Sequence, residues 1–112
     1  MMDHVLNDNA VVTDIAGDYT IIRTKNQTIS FQLIKFGFKL QEYDSFEKKN
    51  LDQDDRLKTI KNLISINSLF SAGRDWSPEE LLGFYKEQGL LNEPYKIISW
   101  KDKNNYKIRI IE

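Results

Sequence analysis

The sequence predicts a single α+β domain: one antiparallel or mixed sheet, in the order β-β-β-α-α-β-β, with two helices packed on one face. Three observations carry this. β-rich runs with period-two alternation lie near both ends, at 11–40 and 95–111. Two segments of helical periodicity lie between them, at 52–67 and 77–88. No linker, repeat or low-complexity tract divides the chain, so strands flanking helices read as one layered unit over residues 1–112. With 112 residues, 40% of them hydrophobic, the chain is long enough to bury one core. Residues 1–9 are expected to be flexible ahead of it.

Val11, Val12 and Ile15 open the first strand, and Gly17-Asp18 is a turn signal. Tyr19 to Thr24 reads as the second strand. Thr28 to Leu40 reads as a long, bent third one, in hairpin with the second across Lys25-Asn26-Gln27. Its alternation is clean in Ile29, Phe31 and Leu33 and again from Ile34 to Leu40. Between Leu33 and Ile34 the phase slips by one residue, a slip that a bulge or bend eased by Gly37 would absorb. Residues 41–51 are polar and aperiodic and read as a loop. Asp52 can cap a helix whose first turn holds Asp54 and Asp55 and whose apolar stripe is Leu57, Ile60, Leu63 and Ile64.

The next helix has the fuller set of signals. Ser77 suits the N-cap, Pro78 the first turn, and Glu80 completes a capping box, with Trp76 and Leu81 placed for a hydrophobic staple. Leu81, Phe84 and Tyr85 are its expected buried face, and Gly89 with Leu90 its Schellman-type stop. Tyr95 to Trp100 and Tyr106 to Ile111 then flank a turn-forming loop, Lys101 to Asn105, as a final hairpin.

Composition narrows function. Cysteine is absent, Met1 to Val5 carry no basic region or apolar run of signal-peptide length, and no run approaches the roughly 18 apolar residues of a membrane span, so the expected location is the cytoplasm. Asn26-Gln27-Thr28 matches a glycosylation triplet but, without a leader, reads as a turn. A net charge of −1 argues against a general polyanion binder. Its distribution is uneven: residues 42–55 hold six acids against two lysines, while residues 95–111 hold five basic groups against one acid.

Candidate chemistries fail on residue type. Asp52-Gln53-Asp54-Asp55 clusters acids as a calcium loop does, but Arg56 follows and the required Gly and closing Glu are missing. His4 is the only histidine, which leaves neither a transition-metal set nor an anchored Ser-His-acid arrangement. The five glycines stand too far apart for a phosphate loop. The expectation is therefore a protein without catalytic residues, metal, cofactor or small-molecule substrate. Two charged segments remain. In the last strand Lys107 and Arg109 alternate with Tyr106, Ile108 and Ile110; with Trp100 on the same side they would form a stacking platform for nucleic acid, and otherwise they solvate an outer strand. The acidic stretch sets Tyr43 and Phe46 among Glu42, Asp44, Glu47, Asp52, Asp54 and Asp55. Those eight residues are the predicted partner-binding set, the aromatics to anchor and the acids to steer a basic partner. The alternative is an ordinary loop with its aromatics turned inward.

In overall character, a cysteine-free, slightly acidic α+β domain with an acidic, aromatic-bearing segment at 42–55, the chain resembles the small immunity proteins that bacteria pair with secreted toxins, including those of contact-dependent growth inhibition. The resemblance implies a tight one-to-one inhibitor that plugs the active site of a basic toxin domain, often a nuclease. A nucleic-acid-binding or regulatory module using the basic hairpin, and a phage-type inhibitor of a host defence enzyme, are the alternative expectations.

Overall fold

Three helices of this chain end in the same way, and those endings set where the strands begin. The computed structural model describes residues 3–73, 76–102 and 105–112. Among them the elements run α1 (Asp3–Asp8), β1 (Val11–Asp14), β2 (Tyr19–Arg23), α2 (Gln27–Lys35), β3 (Lys39–Glu42), β4 (Ser45–Lys49), α3 (Gln53–Ser65), β5 (Leu69–Ser71), α4 (Pro78–Glu87), β6 (Tyr95–Trp100) and β7 (Tyr106–Ile111). After α2, α3 and α4, the backbone N–H groups of Phe38, Ser68 and Leu90 reach back to the carbonyls of Leu33, Leu63 and Tyr85 at 3.0–3.1 Å. One residue earlier, Gly37, Asn67 and Gly89 take φ of 96°, 59° and 73°. This is the Schellman closure, which needs a left-handed residue and places Gly or Asn there.

The α+β class and the mixed sheet stand, whereas the predicted element order does not. Thr28 to Leu40 is not a strand. Asn26 caps α2, its side-chain oxygen accepting from Ile29 N at 3.0 Å, so the glycosylation triplet is a helix start. Ile29, Leu33 and Phe36 then form one buried or half-buried stripe at helical spacing, and Gly37 stops the helix. Residues 41–51 are not a loop: β3 and β4 pair as a hairpin, with Leu40 opposite Phe46. Residues 3–8 form α1, whose Val5 and Leu6 are buried. Ser77 holds the N-cap of α4 without a side-chain bond; buried Pro78 and the acidic first turn, Glu79 and Glu80, start that helix instead. Leu82, not exposed Phe84, joins Tyr85 on its buried face.

Seven strands lie in the order β3-β4-β2-β1-β5-β6-β7, parallel at β1–β5 and β5–β6 and antiparallel elsewhere. Leu33 of α2, Ile60 and Leu63 of α3, and Leu82 and Tyr85 of α4 form one cluster with Val12, Ile22, Phe46, Phe70 and Ile97 of the sheet. Strand neighbours alternate between faces, and Val11, Leu69 and Ile98 form the second cluster, with Val5 and Leu6 of α1 on the opposite side. Helices therefore cover both faces, three on one and one short helix on the other. Each fully buried Leu, Ile or Phe contributes about 1.5–3 kcal/mol to this core.

A polar knot fixes the end nearest β4. Thr20 Oγ1 donates to Asn50 Oδ1 at 2.7 Å, and Asn50 Nδ2 donates to the carbonyls of Ile15 and Gly17 at 3.2 and 3.0 Å. Arg56 of α3 adds donors to the carbonyls of Ala16 and Gly17. The turn after β1 is thus tied to the segment between β4 and α3.

Candidate functional site: a groove beside the β3–β4 hairpin

Tyr43 and Asp44 connect β3 to β4, and they are held in contrasting ways. Arg23 of β2 grips the Asp44 carboxylate with two hydrogen bonds, Nε to Oδ1 at 2.9 Å and Nη2 to Oδ2 at 3.1 Å, while Thr24 N donates to the Asp44 carbonyl at 2.9 Å. Tyr43 takes φ of 45°, a left-handed conformation that costs a non-glycine residue about 1–2 kcal/mol. The residue is 97% exposed. A rigid tip therefore projects an aromatic side chain into solvent.

Next to it, α2 carries a second stripe. Gln27, Phe31 and Ile34 recur at i, i+4 and i+7, on the side away from the Ile29–Leu33–Phe36 stripe. Phe31 is 65% exposed, and Ile34 and Leu40 are each 55% exposed. With Tyr43, and with Phe46 at the floor, they line a groove of about 500 Å³. Thr24, Gln27 and Ser30 are the neutral polar members of its wall, and Lys25 and Asp44 the charged ones.

The predicted partner-binding residues scatter around this feature. Glu42 and Tyr43 stand exposed at the tip. Phe46 is 3% exposed and packs in the core, because its register opposite Leu40 and Ile22 turns it toward α2 and α3. Glu47, one residue on, faces the other side of the sheet, opposite Lys39. Asp52, Asp54 and Asp55 lie at the start of α3, beyond the five residues of β4, about 17 Å along the strand.

Several of these acids already have structural partners. Asp44 binds Arg23, Asp52 accepts from Asp55 N at 2.8 Å, and Asp55 binds Lys48 at 3.1 Å. The Leu51 N–H, bonded at 3.0 Å, is the main cause holding the Asp55 carboxyl below its ordinary range; burial opposes it, and Lys48 and Lys58 assist.

Phe31, Ile34 and Leu40 were missing from the predicted set. The available signal was the Phe31–Ile34 spacing, which a strand reading of 28–40 hides.

At the other end of the sheet, Trp100 pairs with Tyr106 and Ile97 with Arg109. Cross-strand partners share a face, so Trp100 and Tyr106 lie on the α1 side, and Lys107 and Arg109 on the α4 side. The interleaved basic and aromatic platform does not form. Lys103, one of the basic groups predicted for this end, lies outside the described residues. Among the described residues no three metal-ligating side chains converge, and no helix is long and apolar enough to cross a membrane. No protein-family model, no curated protein and no solved structure matches this chain.

Proposed function

We propose that this chain is a small, non-catalytic binding protein that seats apolar side chains of one protein partner in the groove between α2 and the β3–β4 hairpin. Tyr43 is the projecting anchor, and the role is that of an immunity-type inhibitor that blocks its partner's active site in the cytoplasm. The carrying observation is the grouping of Phe31, Ile34, Leu40 and Tyr43, each more than half exposed, around one hollow. Large apolar groups gathered in this way, with an exposed aromatic beside the clamped Asp44, are what binding hot spots are made of. Thr24, Gln27 and Ser30 offer hydrogen bonds along the wall, and its carboxylate, Asp44, is already engaged by Arg23, which supports capture over catalysis. Glu42 beside Tyr43, with Asp52 and Asp54 farther along, supports a basic partner drawn in by long-range attraction.

Co-purification from the native host, with the wild type and a Phe31→Asp/Tyr43→Ala variant side by side, tests the reading. The expected result is a protein retained by the wild type, inhibited by it, and lost by a variant whose thermal midpoint is unchanged. Retention by the variant, or retention without inhibition, overturns it.

A further inference from the structure

We propose a second docking edge, independent of the groove: the free side of β7 takes up an extended partner segment in which apolar and acidic residues alternate. β7 ends the sheet and pairs with β6 over six residues in unbroken register, from Tyr95↔Ile111 to Trp100↔Tyr106. Among the described residues no strand pairs with its outer side. The opposite edge strand, β3, is four residues long with an irregularity between Leu40 and Glu42, a form that discourages pairing. β7 lacks that protection, and its outward N–H and C=O groups are a template for one more strand.

Its side chains state what that strand must carry. On the α1 side Tyr106, Ile108 and Ile110 are exposed, and Tyr106 lies 5.4 Å from the Trp100 ring. Branched apolar residues would extend this row. On the α4 side stand Lys107 and Arg109, the latter held by Glu79. An acidic residue opposite Lys107 is favoured there.

A second copy of the chain is the obvious rival, and register disfavours it. Two β7 strands related by a two-fold axis pair antiparallel with one residue on the axis, because paired residues must share a face. With Ile108 on the axis, Lys107 faces Arg109 of the other copy. With Arg109 or Lys107 on the axis, that residue faces itself. The two registers with the longest overlap, centred on Ile108 and Arg109, both set like charges opposite one another, which penalises self-pairing while leaving an acidic strand welcome. Registers centred on Tyr106 or Ile110 escape this but pair no more than three residues of the strand.

The test uses the full chain, labelled with ¹⁵N, and two capped peptides of three Val-Glu or three Val-Lys repeats. The expected result is amide shifts along β7 with the Val-Glu peptide, binding about tenfold tighter than Val-Lys, and reversal of that preference in Lys107→Glu/Arg109→Glu. The single variant Lys107→Glu, which sets a carboxylate opposite Arg109 of a second copy, should also raise self-association in sedimentation. Equal binding of the two peptides, shifts confined to the groove, or a wild-type dimer joined through β7 would overturn the proposal. Failure of the groove reading leaves all of these outcomes unchanged.

Discussion

At the β3–β4 end of the sheet the exposed apolar groups are gathered, and at the β6–β7 end they are aligned. Phe31, Ile34, Leu40 and Tyr43 come from a helix and a hairpin and enclose a hollow, beside an edge strand that is short and irregular. Tyr106, Ile108 and Ile110 rise in a row from one regular strand whose backbone is open along its length. The cause is local. α2 has two apolar stripes, and the core uses only the one that contains Leu33, so the other is left beside the hairpin. β7 has the alternation of a strand, one face against α4 and one toward solvent. The first end offers shape to side chains, and the second offers hydrogen bonds to a main chain. Exposed hydrophobicity alone does not separate these two kinds of surface; secondary structure does.

Truncations that remove core contacts would break this contrast most severely. Leu33→Ala and Ile98→Ala, one buried residue at each end, should each lower stability by about 3 kcal/mol in urea unfolding. Phe31→Ala and Ile110→Ala, their exposed counterparts, should stay within about 0.5 kcal/mol. A large loss at Phe31 would mean that the second stripe of α2 serves folding. Smaller effects follow at the helix stops that lead into each end. Gly37→Ala and Gly89→Ala, both at positive φ, should cost about 1–2 kcal/mol each, read as a shift in the urea midpoint at constant slope.

The hairpin end should also be the one that responds to acid. The Asp55 carboxyl is held below its ordinary range in the folded chain, so the unfolded chain takes up its proton first. Its stabilising effect is complete above the ordinary carboxylate value, near pH 4, and fades as pH falls below it. The stability difference between the wild type and Asp55→Asn, followed by thermal unfolding, should be constant from neutral pH down to about 5 and then shrink. At the β7 end, breaking the exposed Arg109–Glu79 pair with Glu79→Gln should change stability by less than about 0.5 kcal/mol.

α4 and the last hairpin were legible because their signals are local: Pro78 at the helix start, Gly89 at its stop, and a polar turn between two β-rich runs. α2 was not, because a helix with two apolar stripes at Ile29, Phe31, Leu33 and Ile34 imitates the alternation of a strand. The contrary signals, Asn26 as cap and Gly37 as stop, are present, but in sequence they suit a turn and a bend equally well. β3 and β4 escaped notice for a different reason. Their connection, Tyr43-Asp44, contains no glycine and holds its shape through Arg23, a residue 21 positions from Asp44. β5, three residues long, and α1, six, draw their stability from packing that no local pattern announces. Of the candidate site, Glu42 and Tyr43 were visible as an exposed pair. The groove was not, since it exists only once α2 is a helix.

The knot around Asn50 has a consequence in time. The β1–β2 pair is local in sequence, yet the carbonyls of Ile15 and Gly17 in its turn are bonded by an amide 33–35 residues away. Until β4 has docked, the carbonyl of buried Ile15 lacks its Asn50 partner. Any opening that frees Asn50 strands the Ile15 carbonyl again and leaves the Thr20 hydroxyl without its acceptor. The segment from β1 to the start of α3 should therefore open and close as one cooperative unit, its amides exchanging with solvent at a shared rate.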